Sequence, residues 1–419
     1  MINMVYPSDY ENKTGFDRIR AQVRGKCTTD GGRALLDGEG FSASAGEIAH
    51  RLSLCSELQE ILMLESGFPL QEYTDIGPVA RKIEVAGTFL DIEDMIALRA
   101  GLGAVNEITV FLAAKEEGRY PVLRGLAQGV ESFPEITGHI DTILDRYGKI
   151  KDSASPELYT IRRTIRDREG QVSKRLQAIL SKAQKDGYAD ADAAVSIRDG
   201  RAVIPVSAAN KRKINGFIHD ESATGKTFYI EPVEIVEINN ELKELEYAER
   251  REVVRILTAF TDRIRPDAPG IARAGEYLAC MDMIRAKARW AAENECVKPV
   301  LSEEGTLWLR SARHPLLRQT LAREGKQVVP LDLKLDRGRR MLVISGPNAG
   351  GKSVCLKTVG LLQYMFQCGF PVPVLENSEF PVFDGIFIDI GDEQSIDNDL
   401  STYSSHLLNM KHMLAGAGS

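Results

Sequence analysis

The stretch that most limits what this chain can fold into is Met341-Leu-Val-Ile-Ser-Gly-Pro-Asn-Ala-Gly-Gly-Lys-Ser353, an apolar run that turns through glycines into a helix-like pattern. Gly346, Pro347, Asn348, Ala349, Gly350, Gly351, Lys352 and Ser353 satisfy G-x-x-x-x-G-K-[ST] at every fixed position. In such a loop the glycines let backbone N–H groups curl inward at phosphate oxygens. The helix starting near Lys352 turns its positive end to the same anion. Lys352 then reaches the β and γ phosphates, and the Ser353 hydroxyl ligates Mg²⁺. The pattern predicts a buried strand over 341–344, a glycine loop and a helix, arranged to hold ATP and Mg²⁺.

Such a site must belong to a larger body. With 419 residues, 43% of them hydrophobic, the chain can bury a sizeable core and by length divides into roughly two to four domains. A formal net charge of −7 argues against a surface coated in positive charge, although a nucleic-acid binder needs only a local basic face. Cys27, Cys55, Cys280, Cys296, Cys355 and Cys368 show no C-x-x-C pair and no metal-ligand spacing, so they read as reduced thiols of a cytoplasmic chain. No basic start precedes an apolar core, and no uninterrupted apolar run approaches ~18 residues. No membrane role is expected.

From Phe16 to about Lys149 the apolar residues recur at mixed three and four spacing, a helical pattern. Gly101 to Glu107, GLGAVNE, imitates a dinucleotide loop but has no preceding strand and no third glycine. Ser155 as N-cap, Pro156 at the first position and Glu157 in the first turn open a long helix. Its apolar positions Leu158, Ile161, Ile165, Val172 and Ile179 keep a seven-residue repeat that Arg168 and Arg175 interrupt. A second long helix fits 233–265.

Between these helices the pattern changes. VSIRDGRAVIPV is a hairpin signal with its turn at Asp199-Gly200, and NGFIHD and KTFYIEP form a second strand pair. This small antiparallel module carries Arg198, Arg201, Lys211, Arg212, Lys213 and Lys226 against Asp199, Asp220 and Glu221, a local positive excess. It reads either as a phosphate-backbone contact or as a solvated loop. Gly225-Lys226-Thr227 is not a second phosphate loop, because Asp220 stands where the first glycine is needed. His219, Asp220 and Ser222 are triad residue types, but neighbours on one strand face opposite sides, so His219 reads as a loop histidine.

Ala312 to Leu317 (ARHPLL), MLVISGPNAGGKS and FIDIGDEQSIDNDLSTYSSHLLNMKHML together resemble the ATPase domain of the MutS family. KDSASPELYTIRR, RDGRAVIPV and GFIHDESATGKTFYIEP resemble its MutS-two subgroup, which lacks the mismatch-reading and connector domains. The resemblance implies a multidomain chain. A mainly α-helical core and lever (1–187), a small antiparallel β clamp (188–232) and a returning lever helix and core (233–297) would precede the first part of an α/β P-loop, ABC-type ATPase domain (298–419). It raises the nucleic-acid reading of the clamp residues Arg201, Lys211, Arg212 and Lys213 above the solvated-loop reading. It implies that Val328, with Val329, packs the adenine, that Asn348 lies near the γ phosphate, and that Asp392, Glu393 and Gln394 form a metal- or water-sensing loop. Ser401, with Thr402 beside it, would reach the γ phosphate of a partner subunit in a homodimer.

The function implied is an ATP-dependent clamp on branched or structured DNA that limits recombination, with ribosomes and rRNA as another partner. A mismatch-repair sensor and an ATP-binding structural scaffold are the alternatives. The family also has an apolar strand ending in Asp-Glu, which orients the attacking water, and the subgroup a C-terminal nuclease domain. Neither is found in these 419 residues. The chain therefore reads as truncated inside its ATPase domain, with no hydrolytic residue assigned within it and Asp392 to Ser419 expected to lack a packing partner.

Overall fold

The computed structural model describes residues 4–69, 71–347, 350–390 and 399–416, with 399–406 and 408 as backbone only. It is mainly helical with small sheets, in two compact units. One unit comprises Met1–Arg81, Ala97–Pro134 and Asp267–Ser419; the other comprises Lys82–Ile96 and Glu135–Pro266.

The first unit is organised around the helix Ala268–Glu293, which is buried along most of its length and packs on the helices Asp30–Gly38 and Ala45–Leu64. Its Asp282 and Arg285 are both fully buried and pair at 2.7 Å. Asp282 also accepts from the backbone N–H of Thr28 (2.8 Å) and Thr29 (2.8 Å) and from both threonine hydroxyls. Arg285 donates to the Gln71 carbonyl and lies 4.1 Å over the Tyr73 ring. Thr29 then caps the next helix, accepting from the Gly32 N–H at 2.9 Å. A side chain at Gly32 would meet Asp282, with a Cβ only 2.7 Å from its Oδ2, so glycine is required there.

The stretch that imitated a dinucleotide loop lies inside the helix Ile92–Ala113. Gly101 is small because Ile76 packs against it; a Cβ would stand 2.3 Å from Ile76 Cγ2. By length and composition this helix could cross a membrane. Its buried Met95, Leu98, Leu102, Val105, Ile108 and Leu112 make it a core helix within protein.

Two sheets complete this unit. One has the strand order Val300–Leu301, Glu379–Phe380, Leu307–Ala312, Leu331–Leu335; the other pairs Met4–Tyr6 in parallel with Gly385–Phe387. The strand predicted over 341–344 is not formed. Met341 is 84% exposed and Val343 82%, and no described strand pairs with them. A strand needs ladder partners for its backbone groups. Here Leu331–Leu335 is paired to Leu307–Ala312 and Gly385–Phe387 to Met4–Tyr6. Apolarity alone did not make it a strand. Beyond it, the helix Asp399–Gly416 is formed and Asn409 accepts from the Tyr6 hydroxyl at 2.6 Å, so 399–416 has a packing partner, while the rest of the segment expected to lack one, 392–398 and 417–419, lies outside the described residues.

In the second unit the two long helices are Pro156–Lys185 and Val233–Ile264. Ser155 caps the first, accepting from the Leu158 N–H at 3.0 Å, and its hydroxyl donates to the buried Glu252 of the second at 2.5 Å. The apolar seam survives its interruptions because Arg168 pairs with Glu241 at 3.0 Å and the buried positions shift to Val172, Leu176 and Leu180. The β module is a four-stranded sheet in the order Ser196–Arg198, Arg201–Ser207, Thr227–Pro232, Gly216–Glu221. Asp199 (φ 49°) and Gly200 (φ 72°) make the left-handed two-residue turn that Asp-Gly predicts. Ile204, Val206 and Ile230 join Leu176, Leu180, Ile235 and Ile238 in one cluster, so the sheet is fastened to the helix ends by a shared core.

Removing the central carboxylate tests the first unit. Asp282→Ala leaves Arg285 buried without its counter-charge and is expected to cost about 3–5 kcal/mol in urea unfolding. Asp282→Leu combined with Arg285→Met is expected to recover a substantial part of that loss.

Candidate nucleotide-binding site

The helix Lys352–Gln367 starts at Gly351, which has φ +80°, and Gly346 has φ +148°. L side chains rarely adopt either conformation. The loop closes through a Gly350 N–H to Pro347 carbonyl bond of 2.9 Å. Asn348 and Ala349 lie outside the described residues. Lys352 Nζ donates to the carbonyls of Gly346 (2.5 Å) and Pro347 (2.8 Å), so its ammonium is held against the loop by oxygen acceptors. Ser353 follows in the first helical turn and is exposed. The helix contributes its unbonded first N–H groups and the positive end of its dipole.

The two ends of this helix differ. Ser353, Val354 and Leu356 are exposed, whereas Leu361 to Gln367 are buried. Tyr364 packs on the rings of Tyr10, Phe16 and Phe41. Gln367 donates to the carbonyls of Ser42 (2.9 Å) and Phe383 (2.8 Å). The Tyr10 hydroxyl donates to the Gly360 carbonyl at 3.0 Å. The glycine loop is thereby carried on a helix whose far end is fixed in a core.

Within ARHPLL, His314 caps the helix Pro315–Arg323, its Nδ1 accepting from the Leu317 N–H at 3.4 Å. Burial, with repulsion from Lys357 of the loop helix and from Arg18, pushes the imidazole down to about 4. His314 is therefore neutral near pH 7, the form with an acceptor nitrogen. Val328 lines a cavity of about 240 Å³ with Glu295, Arg313, Arg318, Lys326 and Gln327, none of which belongs to the glycine loop. Ser401 and Thr402 stand in the first turn of the helix Asp399–Gly416, their side chains outside the description. Asp392, Glu393 and Gln394 lie outside the described residues.

The basic residues of the β module divide. Arg201 does not offer its guanidinium outward: it donates to both carboxylate oxygens of Glu231 (2.8 and 3.0 Å) and to Asn240 (2.8 Å). Glu231 is buried and also holds Asn239 (2.8 Å) and His219 (2.6 Å). Burial by itself would raise this carboxyl, but the bonds from Asn239, Arg201 and His219 outweigh it and leave it below the usual carboxylate range. His219 is thus a strand residue at a bulge between Ile218 and Asp220, not a loop histidine. Arg198 pairs with Asp220 at 3.0 Å. Lys211 lies over Phe228 at 4.4 Å, and Lys211, Arg212 and Lys213 are exposed on one turn.

The Glu231 hub escaped sequence reasoning because it joins residues 8 to 30 positions apart, and the cap at His314 because histidine is not a usual capping residue. His314 had one local signal, its place directly before Pro315 at a helix start. All six cysteines are free.

Residues 342–419 match the family described as MutS domain V. The chain is similar to the endonuclease MutS2 of Geobacillus sp. (strain WCH70), with 34% identity over 95% of this chain and 50% of that protein. It is 34% identical to the endonuclease MutS2 of Ligilactobacillus salivarius (strain UCC118) over 96% of this chain and 50% of the other. For the endonuclease MutS2 of Alkaliphilus metalliredigens (strain QYMF) the identity is 36%, over 95% and 49%. The chain spans about half the length of the curated relatives it matches.

The depressed His314 has a stability consequence. Its folded value lies below the unfolded one of about 6.5, so its contribution is complete above that pH and is lost as pH falls from 6.5 to about 4. His314→Asn keeps a capping oxygen and removes the titration. Unfolding in urea at pH 7 and pH 5 is expected to show the parent losing about 2 kcal/mol more than the variant.

Proposed function

The chain belongs to the MutS family, among its MutS2-type members, and from that membership we propose that the intact protein is an ATP-dependent, nucleic-acid-binding clamp. The observation that carries this reading is the glycine turn from Gly346 to Gly351 opening onto a helix with an exposed start and a buried end. Its N–H groups and Lys352 suit a triphosphate. Lys352 already engages two carbonyl oxygens, acceptors that phosphate oxygens would replace. Ser353, next in the same exposed turn, suits a hard cation shared with phosphate oxygens and water, and we assign it to Mg²⁺. Val328 is assigned to the adenine side.

In this reading Ser401, with Thr402, acts across a homodimer on the γ phosphate held by the partner subunit. ATP binding then closes the dimer, because one ligand is bound by both subunits. Closure brings the β modules around branched or structured DNA, through which the protein limits recombination in the cytoplasm. Collided ribosomes and their rRNA are a second target for the same motion. Cleavage, which the relatives' name carries, is assigned to the intact protein and to no residue here. Lys211, Arg212 and Lys213 are the proposed phosphate contacts. Arg201 shapes the module through Glu231.

Two measurements on a full-length protein test this. Ser401→Ala is expected to leave ATP affinity of the isolated subunit nearly intact while reducing ATP-induced dimer closure and hydrolysis, whereas Lys352→Ala damages both. Equal loss of subunit affinity in the two variants would remove Ser401 from its role. Replacing Lys211, Arg212 and Lys213 with Ala is expected to flatten the plot of log K against log salt on duplex DNA by roughly three times 0.9. An unchanged slope would reject the contact.

A further inference from the structure

A second set of cations lies beside the first strands of the 298–419 region. Arg310, Arg313 and Arg318 line a cavity of about 640 Å³ together with Glu295, Glu376 and Asn377. We propose that this cavity binds a phosphate group, separately from the glycine loop, and that Glu295 is its internal competitor.

The backbone brings the arginines together by departing from regular geometry. In an unbroken strand, residues three apart point to opposite faces. The pairing of Leu307–Ala312 with Leu331–Leu335 slips between Leu309 and Ala312, and Ser311 there takes φ +50°. Such a bulge re-aims side chains, and with it Arg310 and Arg313 line the same cavity. The wall is fixed on both sides: the Leu375 N–H donates to the Arg310 carbonyl at 2.9 Å, and the Arg313 N–H donates to the Pro373 carbonyl at 3.0 Å.

Glu295 is held as unusually. It follows the helix Ala268–Glu293 in a left-handed conformation, φ +53°, and the Cys296 N–H closes the helix end on the Ala291 carbonyl at 2.8 Å. Glycine is the usual residue at such a stop. Instead a glutamate, 60% exposed at its side chain, pairs with Arg313 at 3.1 Å and with Arg318. Strain of this kind gathers at ligand sites.

Arg310 remains. Its guanidinium lies 4.9 Å from the Trp308 ring centre, and among the described residues it has no carboxylate partner. Forked guanidinium donors match tetrahedral oxyanions. A phosphate can serve Arg310, Arg313 and Arg318 at once, with the Asn377 amide beside them, while the Glu295 carboxylate serves two. Its departure into solvent is easy because it is already largely exposed. Glu376 opposes the anion, and with Glu295 displaced the three arginines leave the cavity two positive charges in excess.

The site can be read in the Lys352→Ala full chain, where the glycine loop is disabled. The chain has two tryptophans; Trp290 is buried and donates to Gln22, whereas the Trp308 ring carries Lys334 at 4.5 Å and Arg310 at 4.9 Å, so a change in its emission that is lost in Arg310→Met reports on Arg310. Inorganic phosphate is expected to change its emission saturably, with no such change in Trp308→Phe. Glu295→Gln removes the competitor and is expected to tighten binding about threefold or more, while Arg310→Met and Arg318→Met weaken it about tenfold. Urea unfolding verifies that each variant is folded. The proposal is overturned if chloride at equal ionic strength reproduces the change, if the arginine variants bind like the parent, or if Glu295→Gln weakens binding.

Discussion

A carboxylate with no exposure to solvent holds the larger unit together. Asp282 is stable in that position only because five donors converge on it: two backbone N–H groups, two threonine hydroxyls and Arg285. A buried charge without such company would be excluded from a core. The converse also holds, since Thr28, Thr29 and, through Arg285, Gln71 must come to the helix Ala268–Glu293 to satisfy it. Non-directional apolar burial could pack these helices in several ways. The carboxylate selects one of them.

That selection reaches the glycine loop. The segment fixed by Thr28 and Thr29 runs on through the helix Asp30–Gly38 to Phe41 and Ser42, which support the buried end of the loop helix through Tyr364 and Gln367. Lys287, one turn beyond Asp282, pairs with Glu39 at 2.6 Å and lies over Phe370 at 4.4 Å. The loop's direction is thus set by contacts with residues some three hundred positions earlier in the chain.

How much of this the sequence disclosed depended on whether the determining interaction was local. Ser155-Pro156-Glu157, the Asp199-Gly200 turn and the glycines before Lys352 act within a few residues, and each forms the element it predicts. Met341 to Ile344 failed because apolarity reports a wish for burial and says nothing of who supplies the ladder. His219 read as a loop histidine and Arg201 as a phosphate contact because Glu231, which holds both, is 12 and 30 residues away. Within the candidate site the glycine loop and the helix start at Lys352 were legible from spacing. The supporting platform of Tyr10, Phe16 and Phe41 was not, since its residues carry no motif.

The parallel pairing of Met4–Tyr6 with Gly385–Phe387 bears on how the chain acquires its structure. The two strands lie about 380 residues apart in the chain, and the entropy of closing so long a loop must be met before the ladder returns anything. Until then the strand Met4–Tyr6 is an open edge, able to pair with whatever passes. Completion of this sheet is therefore a late event on the folding route, and the chain relies on the helical layers around Asp282 to stay compact while these two strands are still apart.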